Sequence, residues 1–359
     1  MKQILSLCLV IIFILIFPIS FLQLSDNIIL NIKSELREMI KENHLLTEKP
    51  EKAKNINVGK IKMGMTQSQV NHILGKPHEQ LLNEYQQYWT VYHRDYDDFM
   101  LVMYLNGKVS GVYSNQNMIV TDNGIKYGLT RENVEKKLGQ PLEVFQGKDY
   151  QLALDNKESA IYQYGQYFVT IYYDKYRNNT VSGIKIINKS IDQLKQNYYA
   201  YPNDNLEKDY ARLHFELTNA TRKMFGKQIL NVHPEIAKVA SAHAKDMAEH
   251  HYFSHTNKQN ETPFDRIKKA NLNYSVAGEN IAYGQVSPIE AHHGLMNSLG
   301  HRKNILKQNY LSLGVGIAFN DNNQPYYAEN YITQYKKKNL FSKGVSNERK
   351  NICFIIDNN

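Results

Sequence analysis

Two imidazoles and a carboxylate stand where the chain changes direction. His255 lies in "YFSHTN", just past a helical run. Glu279 lies in "AGENIAYG", a charge entering an apolar run flanked by glycines. His301 follows Gly300 in "SLGHRKNIL". Such a set can bind a divalent cation such as zinc, with one coordination position left open. It can instead do acid–base work, the carboxylate orienting an imidazole that moves a proton. Ser298 precedes His301 by three residues, a spacing too common to mark a nucleophile without geometry. There is no His-Glu-x-x-His run, nucleophile elbow or Cys-His pair. The plain alternative is that Glu279 accepts backbone hydrogen bonds and fixes a turn, while His301 caps or packs.

The elements that must position these residues are readable. "LEKDYARLHFELTNATRKMFG" predicts a helix ending near Gly226, and "HPEIAKVASAHAKDMAEHHYF" a second with Pro234 in its first turn. Ile236, Val239, Ala240, His243, Met247 and His251 recur at three- and four-residue steps, one helical face. Thr262, Pro263 and Asp265 supply cap, N1 and N3 of a third helix. Ser287, Pro288 and Glu290 do so for a fourth, with Glu290 completing a capping box. "SLGVGIAFN" and "PYYAENYITQY" predict strands joined by a polar turn. The sum is an α/β layer domain over 207–335. The remaining polar residues read as structural: His250 and His251 near a helix C-terminus, where the dipole favours them, His292 and His293 on adjacent helix faces, and Arg302 beside an acidic neighbour, with help in binding an anionic ligand as its alternative.

An internal echo precedes this domain. "IKMGMTQSQVNHILGKP" at 61–77 returns as "IKYGLTRENVEKKLGQP" at 125–141. Thr66 and Thr130 are N-cap candidates, and Gln69 can close a capping box in the first unit. Gly75 and Gly139 suit the left-handed C′ position, with Pro two residues on. Alternating aromatic and apolar runs after each helix predict antiparallel strands. Residues 58–190 therefore read as a duplicated α+β repeat module, structural or interacting, with a sheet face that binds a ligand or partner as the functional alternative. Residues 191–206 read as a polar linker.

Residues 4–24 carry no charge and are long enough to span a bilayer as a helix. No small-residue cleavage site follows, so 1–24 reads as a transmembrane anchor rather than a cleaved signal, with 25–57 a stalk outside the cytoplasm. The cysteines, Cys8 and Cys353, cannot staple a core, which suits a bacterial envelope better than a disulfide-dense secretion. A net charge of +8 favours anionic neighbours such as lipid heads or wall polymers. There is no basic stripe with interleaved aromatics, which ranks nucleic acid low. Residues 336–359 form a basic tail ending in the apolar "ICFII", too short to span a membrane.

Taken in order, "LTNATR", "AKVASAHAKDMAEHHYFSHTN", "AGENIAYG", "SLGHRKNILKQNYLSLGVGIAF" and "YYAENYI" resemble the bacterial SCP-like branch of the CAP superfamily, over about 212–335. That superfamily groups cysteine-rich secretory proteins, antigen 5 and the pathogenesis-related class. The repeat region is similar to the CAP-associated N-terminal domain. The resemblance implies an α-β-α sandwich with an open cleft lined by two His and two Glu that hold a divalent metal. By motif, His255, Glu279 and His301 match three of the four. Leu295 stands in the position of a helix Trp and Ser298 in that of the second Glu, which puts a complete set in doubt. The implied function is a membrane-anchored extracytoplasmic protein whose cleft binds a lipid, peptide or wall component. The alternatives are a metal-assisted hydrolase with Glu279 as base and a structural surface protein that docks partners.

Overall fold

The computed structural model describes residues 54–335 and a short strand at 352–354. The proposed anchor at 1–24, most of the stalk and most of the basic tail lie outside the described residues. Among the described residues, no helix is long and apolar enough to cross a membrane.

The N-terminal half builds two short strands, β1 (Asn57–Val58) and β2 (Ile61–Lys62), then helix α1 (Gln67–Leu74). A meander follows: β3 (Glu79–Leu82), β4 (Tyr88–Tyr92), β5 (Met100–Leu105) and β6 (Lys108–Ser114). Helix α2 (Arg131–Leu138) and a hairpin, β7 (Val144–Gln146) and β8 (Gln151–Ala153), lead to β9 (Ser159–Tyr164), β10 (Tyr167–Asp174) and β11 (Thr180–Asn188). Seven of these strands form one antiparallel sheet in the order β3-β4-β5-β6-β11-β10-β9.

The echoed segments behave alike. Gly64 N donates to Val109 O, and Gly128 N donates to Val181 O. Thr66 closes the expected capping box with Gln69. Thr130 makes no side-chain cap bond to the backbone, and its hydroxyl instead accepts from Asn133 Nδ2 at 2.9 Å. Gly75 and Gly139 have φ of 87° and 85° with extended ψ, not the left-handed helical cap expected. A Cβ disfavours this region equally, so glycine is still what the turn requires.

A four-residue helix, α3 (Lys189–Asp192), occupies the start of the expected linker, and α4 (Asp204–Met224) begins inside its end. Then come β12 (Asn231–Val232), α5 (Pro234–Glu249), α6 (Pro263–Lys269), β13 (Val276–Tyr283), α7 (Pro288–Met296), α8 (Leu299–Ile305), β14 (Ser312–Phe319), β15 (Pro325–Thr333) and β16 (Ile352–Phe354). The second sheet runs β12-β14-β15-β13-β16. The apolar end of the tail thus adds an edge strand, parallel to β13.

Strand alternation sorts the second sheet's side chains into two cores. Leu313, Val315, Ile317, Tyr327 and Tyr331 pack with Tyr210 of α4, Leu295 of α7 and Ile305 of α8. Ala277, Ile281, Ala328 and Ile332 face α5 and α6 through Ile236, Ala240, Ala244 and Ile267. The result is three layers, helix–sheet–helix. Helix α5 ends at Glu249, and His251 follows with φ of 50°. His251 is therefore off the apolar face on which the periodicity had placed it, and is exposed.

The two halves share a core. One face of the seven-stranded sheet covers α1 and α2 through Val70 and Val134. The other carries Trp89, Leu101, Met103 and Tyr113 against Leu213, Leu217 and Ala220 of α4 and Ile289 of α7. Arg302 meets the acidic partner expected for it across this junction, forking onto Asp174 at 2.8 and 3.1 Å.

Candidate functional site

Helix α6 starts with a complete capping box. The Thr262 hydroxyl accepts from Asp265 N, and the Asp265 carboxylate accepts from Thr262 N. Pro263, Arg266 and Ile267 form its buried side. Arg266 is thus a cation placed on an apolar stripe. Its Nη1 donates to His255 O and Glu261 O, both at 2.9 Å, and its Nη2 donates to Glu279 Oε2 at 2.7 Å. One guanidinium thereby ties the 250–262 loop to β13. Thr262→Ala is expected to lower stability by about 1 kcal/mol, seen as a shifted urea midpoint with the slope of the transition unchanged.

Glu279 is fully buried on the α5 face of β13. Its Oε1 lies 2.9 Å from His255 Nδ1. His243 of α5 brings Nε2 to 4.0 Å from the same oxygen and contacts Ser254 O at 3.0 Å. Burial alone raises the Glu279 pKa, but the hydrogen bond from His255 and the Arg266 charge outweigh it and hold the carboxyl below its ordinary range. Burial pushes the His243 imidazole the other way, below its ordinary value. With Nδ1 given to Glu279, Nε2 of His255 makes no hydrogen bond or ion pair with the protein among the described residues. Phe253 and Tyr283, half-exposed rings 6.0 Å apart, flank this face.

The neighbouring side chain, Asn280, points to the opposite face, as a strand requires. It donates to Glu329 Oε2 at 2.8 Å and lies 3.3 Å from His301 O. Asn304 of α8 donates to Glu279 O at 3.1 Å and to Asn280 Oδ1 at 3.0 Å, which pins α8 against β13. His301 Nδ1 contacts Ser298 Oγ at 2.8 Å. Burial lowers the His301 pKa, and the His255 imidazole adds to that while Glu329 opposes it. The expected residues thus meet as two pairs, His255–Glu279 and Ser298–His301. His255, Glu279 and His301 are not drawn into one tight donor cluster.

A different set is drawn together. Donor atoms of His214, His292 and Glu329 lie within 4.8 Å of one another, all buried. His214 Nε2 is 2.8 Å from Glu329 Oε1, off the axis of a hydrogen bond. Thr218 Oγ1 donates to the same oxygen at 3.2 Å, and Tyr331 OH to Oε2 at 2.9 Å. His292 Nε2 contacts Thr221 Oγ1 at 2.6 Å. Burial, with the neighbouring His214 and His293 rings, keeps the His292 imidazole well below its ordinary pKa and so neutral. Glu329 already has protein donors on both oxygens. The group is a polar brace between α4, α7 and β15. Sequence reasoning passed over His214, Arg266 and Glu329, although each was marked by a charged or polar type inside an otherwise apolar face.

The match to known families follows this geometry. Residues 215–335 match the cysteine-rich secretory protein family, CAP, and residues 63–199 match the CAP-associated N-terminal domain. The chain carries a CAP domain behind a CAP-associated N-terminal domain. Over 293 residues it is 28% identical to the "uncharacterized membrane protein YlbC" of Bacillus subtilis, a match covering 76% of this chain and 83% of that one. The CAP domain alone is 43% identical over 107 residues to the B. subtilis "uncharacterized protein YkwD", 30% of this chain and 42% of that protein. Among solved structures, an extracellular SCP-domain protein of Bacillus anthracis aligns with a TM-score of 0.65 and 25% identity, covering 76% of this chain and 94% of that one. A cysteine-rich secretory protein of Staphylococcus aureus shares the fold, with a TM-score of 0.60, 17% identity and coverage of 75% and 93%. In this CAP domain Glu279 has both oxygens engaged, one by the His255 imidazole and one by a guanidinium.

Proposed function

We propose that this CAP domain binds an extracytoplasmic ligand beside His255, at the outer side of a membrane to which residues 4–24 tether the chain. The observation that carries the reading is the His255–Glu279–Arg266 chain, at 2.9 and 2.7 Å. A carboxylate that accepts from Nδ1 fixes the imidazole's tautomer and aims Nε2 at a ligand. The exposed rings of Phe253 and Tyr283 add an apolar wall, which suits a lipid or peptide with an acidic hydrogen or a polar head for Nε2. The residues present do not fit a divalent ion on Glu279, because the Arg266 guanidinium already neutralises that carboxylate.

One geometric feature favours a second reading, an acid–base hydrolase of a peptide or wall bond. A carboxylate-oriented imidazole can accept a proton from water at Nε2. Titrating the chain with phosphatidylglycerol vesicles, soluble muropeptides and a tetrapeptide separates the readings. Binding is expected for at least one of the three, without new products by mass spectrometry, and is expected to vanish in His255→Ala while the circular dichroism is kept. Product formation that disappears in His255→Ala would select the hydrolase. Equal binding by wild type and His255→Ala would remove both.

A further inference from the structure

A cavity of about 180 Å³ lies in the other half of the molecule. Its floor is one face of the seven-stranded sheet, made by Phe168, Thr170 and Tyr172 of β10 and by Lys185 and Ile187 of β11, alternate residues in each strand. The β7–β8 hairpin lays Phe145 and Leu152 over it, with Phe145 and Phe168 4.8 Å apart. Val286 and Glu290 close one wall from the CAP domain. Glu290 was expected to complete a capping box. Instead it reaches back to Lys185 Nζ and accepts from Tyr172 OH at 2.7 Å.

The two ammonium groups in this wall are treated differently. Lys185 is ion-paired with Glu290 and lies 3.5 Å from Glu84. Lys195 is only 6% exposed, yet its Nζ has no hydrogen-bond or ion-pair partner among the described residues. It lies over the rings of Tyr198, Tyr85 and Tyr150, at 5.0, 5.6 and 5.6 Å. Ring faces replace only part of the hydration that a buried ammonium gives up, and its three N–H donors still want acceptors. Asp155 and Asp192 line the cavity too; burial raises the Asp192 pKa, with the Lys195 and Lys185 charges opposing, and lowers that of Lys195.

We propose that this cavity binds a small molecule with an apolar or aromatic body and an anionic head, the head accepting hydrogen bonds from Lys195 and the body lying between the hairpin and β10. An apolar cavity of about 150 Å³ holds benzene, so the space suits a six-membered ring or a short branched chain, not a two-chain lipid. The cavity shares no residue with the site proposed beside His255. Because Val286, just before α7, and Glu290 of α7 belong to the CAP domain, the occupant touches both domains.

The test is calorimetric titration of the full chain with benzoate, against benzyl alcohol and benzylamine as the same ring with neutral and cationic heads. Benzoate is expected to bind more tightly than either. Lys195→Met is expected to weaken benzoate about ten-fold or more, as loss of a charged hydrogen bond does, and to leave benzyl alcohol unchanged. Leu152→Trp, which fills the cavity from the hairpin, is expected to abolish binding of all three and guards against a Lys195 variant that fails to fold. His255→Ala is expected to bind benzoate as the wild type does, which keeps failure here distinct from failure of the site proposed beside His255. No benzoate binding at millimolar concentration, a preference for benzylamine, or full affinity in Lys195→Met would each overturn the site.

Discussion

Replacing Arg266 by leucine is expected to remove about 3–5 kcal/mol of folding stability, the usual consequence of stripping one partner from a buried ion pair. Glu279 is fully buried, and Arg266 nearly so. Without the guanidinium, Glu279 Oε2 faces an apolar surround, and the carbonyls of His255 and Glu261 lose their donor. The measurement is urea unfolding followed by the fluorescence of Trp89 and by far-ultraviolet circular dichroism. The double variant Arg266→Leu with Glu279→Leu is expected to recover part of the loss, since it removes the stranded charge as well.

The pH dependence has a definite sign. Glu279 titrates below its ordinary value of 4.5 in the folded chain. A depressed carboxyl contributes stability that is fully present above its unfolded pKa and is lost as pH falls through the folded one. Wild type is therefore expected to weaken in acid below 4.5. The gap between wild type and Arg266→Leu should narrow there, because a protonated Glu279 no longer needs a counter-charge. A gap that stays constant between pH 7 and pH 3 would show that Arg266 acts through packing alone.

Gly316→Val is expected to cost about 3 kcal/mol or more, beyond ordinary overpacking of about 1–3 kcal/mol, and to yield largely unfolded protein. Gly314 and Gly316 lie on the same face of β14, turned toward α5. A Cβ on Gly316 would collide with backbone atoms of Ala240 and Ser241, and one on Gly314 with those of Ile236 and Ala237. Backbone cannot rotate aside as a side chain can, so the whole helix would have to lift. Helix α5 also brings His243 to the Glu279 carboxylate, so any surviving fold should show a disturbed His255 environment by proton NMR. Gly294, inside α7 with open space where its Cβ would be, is the control. Gly294→Ala is expected to be neutral or to add up to about 1 kcal/mol, the helix propensity difference. A Gly316→Val chain as stable as wild type would mean that α5 and β14 are not in contact in solution.

Local rules carried much of the fold. Thr66 with Gln69 and Thr262 with Asp265 each form the capping box their spacing predicts. The aromatic alternations after each echoed helix do become antiparallel strands. These depend on neighbours a few residues away, which a sequence displays directly. The family resemblance at 212–335 was legible for the same reason, because its motifs are contiguous.

What local rules missed has a common cause. Glu290 satisfied the capping-box pattern, but a buried ammonium on β11 competes for a carboxylate more strongly than an amide does, and Lys185 is far away in sequence. His251 continued the apolar periodicity of α5 until the helix ended, since nothing in the spacing marks where tertiary packing stops it. Glu279 and Asn280 are adjacent in sequence yet face opposite layers. Thus His255 and Arg266 meet the first, while His301 O and Glu329 meet the second.

The sequence by itself determined the capping boxes at Thr66 and Thr262, the strand-forming runs, the echo between 61–77 and 125–141, and the identity of the C-terminal domain, because each rests on short-range periodicity or contiguous motifs. Only the tertiary structure decided which charges pair: Arg266 with Glu279, Glu290 with Lys185 and Arg302 with Asp174, while Lys195 has no ion-pair partner among the described residues. The physical reason is that a buried charge is governed by whatever partner the fold brings within a few ångströms, and that partner is set by how layers stack rather than by position along the chain.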